Sequence, residues 1–258
     1  MSFARLLLAV VLALPACERG APEPPPAPAP TAAPAPAGDP EAAGVRYLER
    51  LTGGASATDR LPLVIAIHGF GDRPESFAPL FGGLGVRARL IVPYGDPWRD
   101  GFSWFPPGSL DDPEKLAEGT ARAADRLAAM IDAIARTRPT AGKPIVTGFS
   151  QGGMLSFTLA VRHPEVVGAA FPVGGLLAPS LIPASWPMAS VAPSIMAFHG
   201  DADERVPVTR DRDTIAKLRA LGLDARIHEY PGVGHSIPPA MRADLLRAVG
   251  EAITRAAQ

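Results

Sequence analysis

Residues 145–153 read Ile145-Val146-Thr147-Gly148-Phe149-Ser150-Gln151-Gly152-Gly153. A short apolar run ends at a glycine, and a serine stands between flanking glycines where a helix opens. A strand that turns into a helix this sharply leaves no room for Cβ atoms on either side of the turn, which accounts for the glycines. The same turn lifts the Ser150 hydroxyl to the end of the sheet and points the backbone N–H of Gln151 into the same space. This stretch is one unit of a strand–helix alternation, so its neighbours decide the architecture.

Upstream, Leu61-Pro62-Leu63-Val64-Ile65-Ala66-Ile67 is a continuous apolar run that stops at His68-Gly69. Similar runs fall at Leu90–Val92, Val166–Phe171 and Ile195–Phe198. Short apolar runs bounded by Gly predict strands buried on both faces, as in parallel sheets. Asp224–Tyr230 is more polar and reads as a strand nearer an edge. Helical patterns lie between. Asp112-Pro113 supplies an N-cap and a proline at the first helical position, and Leu116, Thr120, Ala123, Leu127, Ile131 and Ile134 then mark one face up to Pro139. A second helix runs from just after Phe149 to near His163-Pro164. A third lies near Arg210–Leu221, and the last spans about Pro239 to Ala256 with Met241, Leu245, Val249 and Ile253 on one face. The alternation predicts an α/β fold with a mainly parallel sheet flanked by helices. Ligands in such folds bind at the carboxyl ends of the strands.

The chain has 258 residues, 25 basic and 26 acidic, for a formal net charge of −1. That balance excludes nucleic acid as the main partner, since phosphate binding needs a surplus of Lys and Arg. One Cys forms no internal disulfide and excludes any multi-cysteine metal site. The one long apolar run, Leu6 to Ala16, is too short to span a bilayer as a stable helix. It follows Arg5, and small residues follow it, the layout of an export signal over residues 1–16. Leu14-Pro15-Ala16-Cys17 resembles the lipobox of bacterial lipoproteins, which implies lipidation of Cys17 and cleavage before it. Glu18, rather than Asp, then favours the outer membrane where the host has one; the alternative is a secreted or periplasmic protein. Residues 18–40 hold nine Pro and seven Ala. Without amide donors they build neither helix nor sheet, so residues 17–40 read as an anchor and a semi-rigid tether spanning up to ~70 Å at ~3.1 Å per residue. Residues 41–258 read as one domain.

The chemistry follows from the strand ends. A Ser hydroxyl becomes a nucleophile when a base removes its proton. Among five His, His163 sits at a helix end, His228 lies in the polar strand, and His68 and His199 precede Gly at strand ends, where they shape turns. His235 lies in Pro231-Gly232-Val233-Gly234-His235-Ser236, whose glycines let the loop fold over the strand ends; it is the candidate base. A base also needs a carboxylate to fix its tautomer. His199-Gly200-Asp201-Ala202-Asp203-Glu204 offers three, and the residues alone leave Asp201, Asp203 and Glu204 open.

The chain resembles the phospholipase/carboxylesterase group of α/β-hydrolases, which includes the acyl-protein thioesterases. The resemblance rests on Ile67-His68-Gly69-Phe70-Gly71-Asp72, on Gly148 to Gly153, on His199 to Asp203 with Val206-Pro207, and on Gly234-His235. It implies an α/β-hydrolase fold and assigns the acid to the second Asp of H-G-D-x-D, Asp203, with Asp201 supporting the turn. It implies an oxyanion hole from the N–H groups of Phe70 and Gln151. Trp104-Phe105-Pro106 resembles a W-F/Y-D segment that lines the group's active site, with Pro106 where the Asp would stand, which gives Trp104 a place in the substrate pocket. Leu176, Leu177, Trp186 and Met188 are further candidates for an acyl pocket. Five prolines and no long helix between Phe171 and Ile195 predict no large cap domain. The expected activity is hydrolysis of carboxylic esters through Ser150, Asp203 and His235, with no cofactor, no metal and no obligatory protein partner. The substrate would be a small or lipid-like ester. Alternatives are a thioesterase, a polyester (polyhydroxyalkanoate) depolymerase or a feruloyl-type esterase, and, from another class, a non-catalytic surface binding lipoprotein.

Overall fold

A computed structural model describes residues 39–186 and 192–258. The expected export signal, Cys17, all but the end of the expected tether, and Met188 lie outside the described residues. The strands are β1 (Glu41–Ala42), β2 (Val45–Thr52), β3 (Leu63–Ile67), β4 (Ala88–Pro93), β5 (Asp96–Trp98), β6 (Gly101–Ser103), β7 (Ile145–Phe149), β8 (Ala169–Val173), β9 (Ser194–Gly200) and β10 (Ala225–Tyr230). The helices are α1 (Pro74–Phe77), α2 (Pro113–Thr137), α3 (Gln151–Arg162), α4 (Val208–Ala220) and α5 (Pro239–Ala256). Among the described residues one sheet takes the order β1-β2-β4-β3-β7-β8-β9-β10, and β5 and β6 form a separate hairpin. From β4 to β10 every neighbouring pair is parallel; β2 joins β4 antiparallel, and β1 pairs antiparallel with β2.

The unbroken apolar run of β3 has a direct cause. Leu63, Ile65 and Ile67 join the core built with α2 and α3, while Val64 and Ala66 join the core built with α1 and α5. Both faces are covered, so no polar residue is tolerated at either parity. Each such Leu or Ile contributes about 1.5–3 kcal/mol by leaving water. α2 begins as its sequence dictates: the Asp112 carboxylate accepts from the N–H groups of Glu114 and Lys115 at 3.2 Å, a cap worth about 1 kcal/mol. α3 is buried from Gln151 to Val161, because α2 covers the side that the sheet does not. α5 spans the expected residues and buries Met241, Leu245, Val249 and Ile253.

The expected strand at Val166–Phe171 starts later, at Ala169. The amides of Val166 and Val167 turn back to the His163 carbonyl, and that turn consumes the preceding residues. β2 and the β5–β6 hairpin are additions to the expected elements. The domain's contacts also begin before residue 41: Asp39 accepts from Arg46 at 3.1 Å and from the Tyr94 hydroxyl at 2.9 Å. Between β8 and β9 the described residues hold one short helical turn, Pro179–Leu181, and no large cap.

The chain runs from β3 to β4 on one side, then returns to place β7 on the other. The loops leaving β3 and β7 therefore diverge. A crevice opens at the carboxyl ends of these two strands, the switch point where α/β sheets bind ligands.

Candidate active site

Ser150 occupies that crevice in a strained backbone conformation, φ 55° and ψ −116°. Such a conformation costs about 1–3 kcal/mol and persists only where its surroundings hold it. The Ser150 N–H donates to the Val173 carbonyl, and its carbonyl accepts from Met154 N–H, both at 3.0 Å. Gly152 makes the turn possible, because a Cβ there would overlap the Ile67 carbonyl oxygen of β3.

His235 arrives on the loop after β10, and that loop is pinned to the end of β9. Asp201 Oδ1 accepts from Gly232 N–H at 2.6 Å, and Ala202 N–H donates to the Val233 carbonyl at 3.0 Å. Gly200 has the Val233 carbonyl where a side chain would begin, which explains the glycine of His199-Gly200-Asp201. His235 Nδ1 then lies 2.6 Å from Asp203 Oδ2, and Nε2 lies 2.9 Å from Ser150 Oγ. A carboxylate only accepts, so Nδ1 carries the proton and the Nε2 lone pair faces the hydroxyl. Of the three acids in this loop, Asp203 meets His235, Asp201 ties the loop, and Glu204 is exposed to solvent.

The buried side of Asp203 is equally ordered. Oδ1 accepts from the N–H groups of Arg205 and Val206, each at 2.9 Å. Oδ2 also lies 3.4 Å from Nε2 of His199, a fully buried imidazole. His199 Nε2 donates to the Val206 carbonyl at 2.8 Å, and Nδ1 meets Asp211 Oδ2 at 2.8 Å. Burial pushes the His199 imidazole down, but the hydrogen bond and charge of Asp211, the Val206 carbonyl and the Asp203 charge outweigh it and hold its pKa above the ordinary value. Burial also lifts the Asp211 carboxyl to about 6. The pair therefore retains a shared proton. Neither the strand-end position of His199 nor the helical position of Asp211 announced this contact with Asp203.

His68 is buried at the end of β3. Its Nδ1 donates to the Gly69 carbonyl at 2.7 Å, and burial lowers its pKa, so it stays neutral and shapes the turn. No hydrogen bond engages the amide N–H of Phe70 or of Gln151 among the described residues. These two amides flank the crevice, one after β3 and one after β7. The Gln151 side chain is spent elsewhere: Oε1 accepts from the Trp104 backbone N–H at 3.0 Å and from the Ser103 hydroxyl at 3.3 Å, and Nε2 donates to the Phe105 carbonyl at 3.1 Å. It staples the 103–105 segment to the crevice.

The cleft holding Ser150 has a volume of about 190 Å³, with Phe70, Phe105, Leu110, Met154 and Val206 among its walls. Four expected pocket residues lie outside that lining, among them Trp186, which is half-buried against the core. Trp104 is buried, its indole N–H donating to the His68 carbonyl at 3.0 Å; Phe105 to Leu110 form the wall instead. Leu176 and Leu177 are buried against a neighbouring cavity of about 180 Å³ that shares only Leu110 with the cleft. The apolar character of these residues was legible, but the cavity each one faces depends on the loop path.

A mostly parallel sheet with a serine on a strained strand-to-helix turn, facing a histidine and an acid from later strand ends, defines an α/β-hydrolase. Within that class the chain belongs to the phospholipase/carboxylesterase family, whose model matches residues 55–250. It is 29% identical over 163 residues to lysophospholipase-like protein 1 of Mus musculus, covering 62% of each chain. It is 30% identical over 122 residues to a probable inactive carboxylesterase of Oryza sativa subsp. japonica, covering 46% of this chain and 49% of that one. The chain thus matches less than two thirds of either relative's length. Among solved structures, esterase PE8 superposes with a TM-score of 0.67 at 26% identity, covering 80% of this chain and 98% of that one.

Proposed function

We propose that this protein is a serine hydrolase of carboxylic esters. Ser150 Oγ attacks the substrate carbonyl while His235 Nε2 takes its proton. The N–H groups of Phe70 and Gln151 hold the oxyanion that forms. Collapse of that intermediate expels the alcohol, which receives the proton from His235, and leaves an acyl group on Ser150. Water then attacks the acyl-enzyme with His235 again as base, releasing the carboxylic acid and regenerating Ser150. Asp203 fixes the His235 tautomer and stabilises its cation. The observation that carries this reading is the hydrogen-bond chain from Ser150 through His235 to Asp203, at 2.9 and 2.6 Å.

A fluorophosphonate probe should label the protein, and Ser150→Ala should abolish labelling while lowering kcat by about 10⁴ to 10⁶ without unfolding. Activity within tenfold of the parent would sink the reading and favour a non-catalytic binding role. A panel of p-nitrophenyl esters and thioesters of varied acyl length would separate the esterase from the thioesterase reading.

We infer further that the domain is carried at a membrane by acyl chains on Cys17, with residues 18–40 as tether. The sole Cys of the chain falls at the end of the lipobox-like stretch, where a thiol nucleophile is needed. Two or more acyl chains anchor stably, at about 0.8 kcal/mol per buried CH₂. Palmitate label on the parent and none on Cys17→Ser is the expected result; an unlabelled, soluble parent would refute it.

A further inference from the structure

The cleft around Ser150 distributes its polar groups unevenly. Five polar side chains line it: Ser109, Ser150, Gln151, Arg205 and His235. Four are committed. Ser150 bonds His235, and His235 bonds Asp203. The Gln151 amide is spent on the 103–105 segment, and the Ser109 hydroxyl donates to the Pro106 carbonyl at 2.8 Å. Arg205 differs. Its backbone N–H is given to Asp203, but its exposed side chain has no hydrogen bond or ion pair with any described residue. Glu204, its exposed neighbour in the chain, does not line the cleft. The remaining walls are mostly apolar, and Phe70 and Leu110 are two of the few large hydrophobic side chains left exposed among the described residues.

We propose that Arg205 anchors an anionic group of the substrate, so that this cleft takes esters pairing an apolar part with a carboxylate or phosphate. The inference rests on the reading of Ser150 as nucleophile. A guanidinium is charged at every working pH and offers a planar fork of donors that matches a carboxylate or phosphate with two parallel hydrogen bonds. A neutral acceptor would use one of those donors and none of the charge. Apolar walls with one sign of charge also focus the field into the cleft and screen it less than an open surface does. The apolar part of the ester would lie along Phe70, Phe105 and Leu110.

Two matched pairs of esters test this. Mono-4-nitrophenyl adipate against its methyl ester places the charge on the acyl side; 4-(butyryloxy)benzoate against its methyl ester places it on the alcohol side. In at least one pair the anion should be preferred about tenfold in kcat/KM, chiefly through KM. About 1 M salt should shrink that preference. Arg205→Ala should lower the anion-to-neutral ratio about tenfold, and Arg205→Glu should lower it further. Arg219→Ala, which removes an exposed cation at the far end of α4, should leave the ratio at the parental value. The ratio is read within each variant, so differences in folded fraction cancel. No anion preference in either pair, or a preference that survives Arg205→Glu, would overturn the proposal while leaving the serine-hydrolase reading intact. If no ester is turned over and the fluorophosphonate fails to label Ser150, that reading falls first and the anion site with it.

Discussion

Asp203 is approached by two imidazoles with opposite relations to water. His235 comes from the cleft with its side chain 11% exposed, and His199 comes from the interior with none exposed. Their surroundings match at one nitrogen. Nδ1 of His235 meets Asp203 at 2.6 Å, and Nδ1 of His199 meets Asp211 at 2.8 Å. They differ at the other nitrogen. Nε2 of His235 faces the Ser150 hydroxyl at 2.9 Å, while Nε2 of His199 faces the Val206 carbonyl at 2.8 Å. A hydroxyl can donate and a carbonyl cannot. His235 can therefore sit neutral with a free lone pair, ready to accept a proton, whereas His199 must carry a proton on Nε2 and cannot act as a base there. The role of each ring is set by what its second nitrogen faces.

The sharpest break of this comparison is at the shared carboxylate. Asp203→Asn should lower kcat by about 10⁴, since an amide no longer holds the reactive tautomer of His235. Asp201→Asn removes only a loop tie to Gly232 and should cost far less. Steady-state kinetics on both folded variants checks it; the reverse ranking would mean that the cleft-side carboxylate has been misassigned.

A smaller effect is expected from the interior ring. His199→Gln keeps a donor for the Val206 carbonyl but removes the ring, with its shared proton, from beside Asp203. We expect kcat/KM to fall about tenfold, a change of ~1.4 kcal/mol in barrier. The acid limb of the pH profile should move to higher pH, because the Asp203 carboxylate would then act on His235 without a neighbouring cationic group. A rate loss with an unmoved limb would reduce His199 to packing.

Much of this was legible in the sequence because it is local. The strand-to-helix turn at Ser150, the Asp112 cap and the apolar face of α5 are each dictated within a few residues, and the structure places those elements where their spacing predicts. β2 escapes the sequence pattern, although Val45, Tyr47 and Leu48 are buried and Arg46 and Arg50 exposed. It joins the parallel core antiparallel and half-solvated, so its pattern differs from that of its neighbours. The cleft wall departs from the sequence expectation for a related reason. Trp104, Leu176 and Leu177 are apolar and near the strand ends, but their orientation follows from the Gln151 staple and the path of the loop after β8. The His199–Asp211 pair joins β9 to α4 across twelve residues, and neither side chain signals a partner in isolation.

The finest test concerns stability rather than rate. The charged groups facing His199 are Asp211 from α4, Asp203 from the loop after β9, and Glu229 from β10, which is itself bound to Arg212 at 2.8 Å. Burial alone would lower the His199 pKa, but its partners hold it above 6.5 in the folded chain. A group with a raised folded pKa holds its proton more tightly folded than unfolded, so the stability it contributes is complete below about 6.5 and is lost as pH rises through the folded value. Asp211, lifted from 3.8 to about 6, has the same sign: its ionisation makes the folded state relatively less stable as pH climbs through that window. Asp211→Asn removes the carboxyl titration and lets an amide donate to a neutral His199. Titrating groups away from this pair are common to both proteins and cancel in the difference. The melting temperature of the parent minus that of Asp211→Asn should therefore fall as pH rises from about 4, first through the Asp211 value of about 6 and then through the raised value of His199. Calorimetric melts across that range decide it. A difference that stays constant with pH would show that the interior pair holds no shared proton, and the contrast with His235 would then rest on solvent access alone.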